Sequence, residues 1–157
     1  NVDIIEIGFR FTPKPKYMGP FAYSTDDFLR SLPLPKDKTI GVMINSSDYI
    51  GDQGKSARHL ISENFNDSSE SPVKLVRIAT HFKDLDYCEA LIEGLDSLGY
   101  EVGLNLMQIG TKTESEIKSA MEMIGSWKKL KVVYFADSLG NMGNAEVEKV
   151  VFLIKKN

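Results

Sequence analysis

Five short apolar runs, each followed by a helix-like stretch, constrain the fold of this chain more than any other feature of its sequence. The runs are rich in aliphatic and β-branched residues, which is typical of buried strands. They cover residues 2–8, 39–45, 75–80, 101–107 and 132–136. Strands that alternate with helices usually pair in parallel through right-handed crossovers. The predicted fold class is therefore α/β with a parallel sheet.

The segments between the runs carry helix signals of different strength. Residues 84–98 place apolar side chains at three- and four-residue spacing ahead of Gly99, and Thr113 with Glu116 forms a capping box. Residues 11–24 contain three prolines and four aromatic residues, which is typical of a long ordered loop. The first predicted helix starts near residue 25 and ends before residue 33. The other four are predicted to cover residues 53–64, 84–98, 113 to about 130, and 145–155.

The overall composition limits what the chain can bind. Its 157 residues suit one domain, 1–157, with 42% hydrophobic residues, 26% charged residues and a net charge of −3. The sequence has no cluster of lysines and arginines that could bind along the phosphate backbone of a nucleic acid, so nucleic acid is not an expected partner. No apolar run is long enough to span a membrane, and the single cysteine, Cys88, fits a reducing cytoplasm. We expect a cytoplasmic protein with no membrane partner.

The two faces of the predicted strands differ in kind. In the second strand one face carries Ile40, Val42 and Ile44, whereas the other carries Gly41, Met43 and Asn45. The third and fourth strands repeat this division. An open doubly wound sheet is apolar on both faces, whereas a barrel packs helices only outside and keeps polar groups inside. The pattern favours a (β/α)8 TIM-barrel type of fold, present as an incomplete barrel of about five βα units.

Polar residues end four of the five strands. In α/β proteins the ligand lies beyond the carboxyl ends of the strands, so these side chains are expected to gather at one rim. Each of them also has a simpler explanation as a cap of the following turn. The candidate site residues at this rim are Asn45, His81, Asn105, Asp137 and Ser138.

Glu6 and Arg77 each place a charge inside an apolar strand. An unpaired buried charge costs several kcal/mol, so both are expected to have partners, and one arrangement pairs them across the barrel interior. Both a structural ion pair and a catalytic role stay open. His81 at the rim can polarise a carbonyl, carry a proton or serve as a structural hydrogen-bonding residue. His59 is predicted to lie on a helix surface.

Two glycine-containing segments resemble phosphate-binding loops only in part. GDQGKS at residues 51–56 lacks the first glycine of the P-loop motif, because that position is Tyr49. SLGNMGN follows a strand and precedes a helix, so its backbone N–H groups can hold an anion, although it does not spell G-x-G-x-x-G. A nucleotide-binding sheet is therefore the weakest interpretation.

Several segments in order resemble one enzyme family. VDIIEIGFR, LVRIATH, LGYEVGLNLM and VVYFADSLGNM are similar to the central strands of the hydroxymethylglutaryl-CoA lyase-like (pyruvate carboxyltransferase-type) metal-dependent aldolases. Within that group the chain is most similar to 4-hydroxy-2-oxovalerate aldolase-like proteins. The most specific part is the A-D-[ST]-x-G motif at residues 136–140. The resemblance implies that the chain corresponds to strands two to six of an eight-stranded barrel.

The resemblance also implies a chemistry, which is carbon–carbon cleavage or condensation of a small 2-oxo acid with a divalent metal, Mg²⁺, Mn²⁺ or Zn²⁺, as Lewis acid. It implies that Ser138 binds the substrate carboxylate and that His81 and Asn105 face the substrate. Glu6 matches the acidic residue of strand two. His81 is the expected catalytic residue. The expected substrate-binding residues are Ser138, Asp137, Asn105, Asn45, Glu6 and Arg10.

The chain departs from this family in its metal ligands. The strand-one aspartate and arginine and the strand-seven His-x-His of the family have no counterpart here. We therefore expect the metal to belong to a longer parent protein, with none held by this chain, which is expected to be inactive alone. Unpaired strand edges predict self-association or a missing remainder of the same chain. The alternative function is a non-catalytic α/β domain that binds a small anion or serves in assembly.

Overall fold

A parallel five-stranded sheet forms the centre of the molecule. The computed structural model describes residues 2–50 and 56–156. All strand pairs are parallel, and the strands lie side by side in chain order, which confirms the predicted α/β class with a parallel sheet. The strands are β1 (Ile4–Phe9), β2 (Thr39–Asn45), β3 (Leu75–Thr80), β4 (Glu101–Met107) and β5 (Leu130–Ala136).

Helices connect successive strands and follow the last one. Two 3₁₀ helices, Phe82–Tyr87 and Ile109–Thr111, precede α5 and α6 respectively. The predicted capping box is present, because Thr113 and Glu116 exchange side-chain and backbone hydrogen bonds at the start of α6. The α-helices are α1 (Pro20–Tyr23), α2 (Asp26–Arg30), α3 (Ser46–Tyr49), α4 (Ala57–Asn64), α5 (Cys88–Ser97), α6 (Glu114–Gly125) and α7 (Asn144–Lys156).

The differences from the sequence predictions lie at short helices, at helix ends and at two strands. β1 covers Ile4–Phe9 rather than 2–8, and β5 covers Leu130–Ala136 rather than 132–136. The four-residue helices α1 and α3 were not predicted. The helix predicted for 84–98 is α-helical only from Cys88, because its first turn is 3₁₀. The helix predicted to run to about residue 130 ends at Gly125. Residues 53–55 of the helix predicted for 53–64 lie outside the described residues.

The aliphatic face of the sheet packs against the helices. Ile40, Val42 and Ile44 are almost fully buried, as are the matching residues of β3 and β4. They join Leu91 and Leu95 of α5 in one hydrophobic core. Burial of each such side chain contributes roughly 1.5 to 3 kcal/mol to folding. This core fixes which strand residues point to the opposite face.

The opposite face is polar and only partly covered. Met43, Asn45 and Arg77 are half-buried there, and Tyr134 is exposed. Helices on one face and polar groups on the other are consistent with part of a TIM-like barrel. The described strands do not close into a barrel, since β1 pairs only with β2 and β5 only with β4.

The loop 11–24 folds against β1 through a glycine. Gly8 has φ of +65°, and a Cβ added there would lie 2.3 Å from the carbonyl oxygen of Phe21. The hydroxyl of Ser24 donates to the carbonyl of Ile7 at 2.7 Å. Gly8 therefore permits both a left-handed backbone and a close approach between strand and loop. The long ordered loop that was predicted contains the short helix α1.

No helix within residues 2–50 and 56–156 is long and apolar enough to cross a membrane.

Candidate functional site

Two asparagines flank a small residue near the carboxyl edge of the polar face. Asn45 on β2 and Asn105 on β4 are both register partners of Ala79 on β3. With neighbouring strands about 4.8 Å apart, their Cα atoms lie about 10 Å from each other. Asn105 is only 7% exposed. Ala79 between them is almost fully buried, and the two amide side chains can donate and accept hydrogen bonds.

His81 lies two residues beyond Ala79, at the rim of the same face. Its backbone is extended (φ −86°, ψ 154°), so the alternation of β3 continues through it. Its carbonyl accepts hydrogen bonds from the Thr80 hydroxyl at 3.1 Å and from the Asp84 amide at 2.9 Å. The residue is half-buried, so its imidazole stays accessible at this rim.

His59 lies on the surface of α4, as predicted. Its Nε2 atom is 3.2 Å from Oε1 of Glu63 on the next turn, and both side chains are exposed. His81 is therefore the histidine that the sheet places beside the polar face.

Asp137 folds its carboxylate back onto the turn that follows β5. Oδ1 accepts the amide of Asn141 at 3.1 Å, and Oδ2 accepts the amide of Met142 at 3.0 Å. The hydrogen bond from Met142, with others from the turn, lowers the pKa of Asp137 below its usual value. The capping explanation therefore applies to Asp137, and the amides that would hold an external anion already bind this carboxylate. Ser138 beside it is exposed.

Glu6 and Arg77 form the predicted ion pair. Arg77 Nε lies 2.6 Å from Glu6 Oε2, and Nη2 lies 2.5 Å from Oε1. The pair joins β1 to β3 across β2, where Gly41 is the register partner of Glu6 and adds no side chain. The hydrogen bonds that Arg77 donates to Glu6 raise the pKa of Arg77. Both oxygens of Glu6 are thus engaged by Arg77, which lies two residues before Ala79 on β3.

Tyr134 on β5 is the register partner of Asn105 and was not among the predicted site residues. A Cβ on Gly103 would lie 3.3 Å from Cε2 of its ring, so the ring occupies space that this glycine leaves. Tyr134 also contributes to the raised pKa of Arg77. Glu6, Arg77 and Tyr134 come from alternate strands, as in one interior layer of a TIM barrel. The sequence could have indicated this position, because Tyr134 alternates with Val132 and Ala136 along the strand and therefore shares their face.

Arg10 lies on the helix-covered side of the sheet, away from the other predicted residues. Its Nη2 donates to Asp26 Oδ1 and to the Ser24 carbonyl, both at 2.7 Å. Its guanidinium lies 4.8 Å from the ring centre of Phe65, a core residue, and Arg10 is 4% exposed. The structure brings Asn45, His81, Asn105, Asp137 and Ser138 to one edge, but it gives Arg10 a buried ion pair elsewhere.

Metal ligation finds no support among residues 2–50 and 56–156. Within them, no group of three or more histidine, cysteine or acidic residues is close enough to hold a metal ion. The donor set of the described chain therefore does not fit a divalent metal. Residues 51–55 of the GDQGKS segment lie outside the described part of the chain.

Comparison with solved structures finds chains of similar fold. A structure described as the "N-terminal domain of a putative aldolase from Bacteroides vulgatus" aligns with a TM-score of 0.73 and 23% sequence identity. The likeness is one of fold. It covers 98% of this chain and 48% of the other, so this chain spans about half of the protein it matches. No protein-family model matches the chain, and no curated protein matches it. The hydroxymethylglutaryl-CoA lyase-like family stays a prediction.

Proposed function

We propose that this chain forms part of a carbon–carbon lyase of the aldolase type, which cleaves or forms a small 2-oxo acid inside a larger barrel. The observation that carries the proposal is the polar carboxyl edge of the sheet. There, Asn45 and Asn105 flank Ala79, with His81 directly beyond. The fold shared with an aldolase domain supports the same class of reaction.

The side chains at this edge suit a 2-oxo acid. The exposed hydroxyl of Ser138 can donate a hydrogen bond to the substrate carboxylate, because Asp137 takes the neighbouring amides. The amides of Asn45 and Asn105 can orient the 2-oxo group. The imidazole of His81 can transfer a proton to or from the reacting oxygen. Together these groups bind, orient and protonate a small acid.

A divalent metal, Mn²⁺, Mg²⁺ or Zn²⁺, belongs to the proposal only for the larger protein. Because the described residues do not form a metal-binding group, its ligands would have to come from other parts of that protein. No metal-dependent step is assigned to this chain.

The test is an assay of the full-length protein with a 4-hydroxy-2-oxo acid and Mn²⁺, in which released pyruvate is measured. We expect Ser138→Ala to lower kcat/KM by about tenfold or more, because a hydrogen bond to a charged group contributes about 1.5 to 3 kcal/mol. We expect His81→Gln to lower kcat, whereas His59→Gln, on the surface of α4, leaves both constants unchanged. A full-length protein that binds no divalent metal and cleaves no such acid contradicts the proposal.

A further inference from the structure

Tyr134 of β5 lies in line with the two asparagines of the polar face. It is the register partner of Asn105, which itself pairs with Ala79. Asn45 is the other register partner of Ala79, so the four residues form one row across β2 to β5. Tyr134 is 38% exposed, whereas Asn105 beside it is 7% exposed. An accessible aromatic ring therefore borders the amides that the proposed function assigns to the 2-oxo group.

The ring leans from this row over Gly103, two residues before Asn105 on β4. A Cβ added to Gly103 would lie 3.3 Å from Cε2 of Tyr134 and 3.2 Å from Cγ1 of Val132. The glycine has no side chain that could fill the space if the ring were removed. Truncation of Tyr134 therefore opens space next to the row of asparagines, because a cavity persists where the neighbours cannot collapse into it.

In the other direction, β5 leads from Tyr134 to Ser138 at the carboxyl edge. Ser138 follows Tyr134 by four residues, and a strand rises about 3.3 Å per residue, so their Cα atoms are about 13 Å apart or less. Under the proposed function, Ser138 binds the carboxylate of the substrate. The carbon chain of the acid then runs from Ser138 toward the row of asparagines, and its far end points to the Tyr134 ring.

We propose that Tyr134 is a specificity-determining residue of the lyase, whose ring limits the length of the carbon chain on C4 of a 4-hydroxy-2-oxo acid. This inference rests on the proposed function and names the side chain that selects among its substrates. A short substituent on C4 ends at the ring face. A longer one meets the ring, because the ring already occupies the space over Gly103.

Two acids test this role in the larger protein proposed above: 4-hydroxy-2-oxopentanoate and 4-hydroxy-2-oxoheptanoate, which carry a methyl and a propyl group on C4. Both release pyruvate on cleavage, so one assay with Mn²⁺ measures kcat/KM for both. We expect the wild type to prefer the five-carbon acid. We expect Tyr134→Ala to shift the ratio of the two kcat/KM values by about tenfold or more toward the seven-carbon acid, since a few methylene groups in a pocket have effects of this size.

Further variants separate the ring from the hydroxyl and from general effects of mutation. Tyr134→Leu should shift the ratio in the same direction by a smaller amount, and Tyr134→Phe, which keeps the ring, should keep the wild-type ratio. Tyr87→Ala is the matched control, because Tyr87 is an exposed tyrosine on a 3₁₀ helix outside the sheet. The ratio does not depend on how much of a variant is folded, since both acids report on the same folded fraction.

The outcomes distinguish this inference from the function on which it rests. If the wild type releases pyruvate but Tyr134→Ala leaves the ratio unchanged, the role of Tyr134 is overturned and the proposed function stands. The same holds if Tyr134→Phe or Tyr87→Ala changes the ratio as much as Tyr134→Ala does. If the wild type cleaves neither acid, the proposed function fails, and the role of Tyr134 fails with it.

Discussion

Arg10 and Asp26 form a buried ion pair inside this domain. Both are at least nine-tenths buried, and each has more than one hydrogen-bond partner. Burial alone would raise the pKa of Asp26, but Arg10 and the hydrogen bonds of Ser71 and Asn66 outweigh it and lower the pKa. Removal of one partner would leave the other charge buried and uncompensated.

We expect Asp26→Asn to lower the free energy of unfolding by about 3 kcal/mol, the usual cost of breaking a buried ion pair. Urea denaturation of both proteins measures this change. The matched control is Asp27→Asn, because the neighbouring Asp27 side chain is exposed and should change stability by less than about 0.5 kcal/mol. Similar losses for the two variants would contradict a structural role of the buried pair.

The pH dependence of this difference has a defined sign. Since the folded-state pKa of Asp26 is lowered, its contribution is complete above the unfolded-state value of about 3.9. The contribution disappears as the pH falls through the lower folded-state pKa. The stability gap between wild type and Asp26→Asn should therefore be constant near neutral pH and shrink below about pH 4.

At the scale of elements, β1 and its loop depend on one backbone position. Gly8 has a left-handed backbone, interrupts the register between Glu6 and Phe9, and lies directly beneath the carbonyl of Phe21. Gly140, in the turn after β5, has nearly the same φ of +64°, but nothing lies within 4 Å of its missing Cβ. A substitution at Gly140 therefore tests backbone strain alone, whereas one at Gly8 tests strain together with a steric clash.

We expect Gly140→Ala to cost about 1 to 2 kcal/mol, which is the strain of a left-handed backbone. Gly8→Ala should cost clearly more, because its Cβ would also clash with the carbonyl of Phe21. Urea denaturation compares the two variants, with wild type as reference. Equal losses would mean that the loop moves away from β1 without cost.

The strands could be predicted because their apolar runs are long enough to specify burial without help from distant residues. β2, β3 and β4 have the predicted bounds. The helices α1 and α3 contain only four residues each, too few for a periodic pattern, and form where the surrounding fold holds them. The 3₁₀ turn before α5 was missed for a similar reason, since its apolar spacing also fits an α-helix.

The site was predictable in outline and not in detail. Strand alternation placed Asn45, His81 and Asn105 on one face, because side chains of a strand follow a strict period of two. Hydrogen-bond partners depend on turns and on contacts between distant segments, which a strand pattern does not specify. The sequence therefore left a ligand role and a capping role both open for Asp137, and it did not reveal that Arg10 lies on the other side of the sheet.

At the scale of the whole molecule, the sheet ends in two open edges. Within the described residues, β1 and β5 each have a single neighbouring strand. The last helix, which packs against α6, leaves Val147 and Phe152 exposed. Unpaired backbone groups and exposed apolar side chains favour pairing with further strands, either of a longer protein or of another copy.

We expect the isolated 157-residue chain to self-associate as its concentration rises. Sedimentation equilibrium over a range of concentrations measures this, with an average mass above that of one chain as the expected result. The larger protein proposed above is the control, because the further strands of a barrel would cover the same edges. A chain that stays monomeric at every concentration contradicts the prediction.

In the turn after β5, the carboxylate of Asp137 competes with any external acid for the backbone amides. The carboxylate of Asp137 is tethered next to the amides of Asn141 and Met142, so it acts at an effective concentration of at least about millimolar order. A free small acid must displace it to reach these donors. Under the function proposed above, selection among acids at this edge therefore falls to the exposed Ser138 hydroxyl.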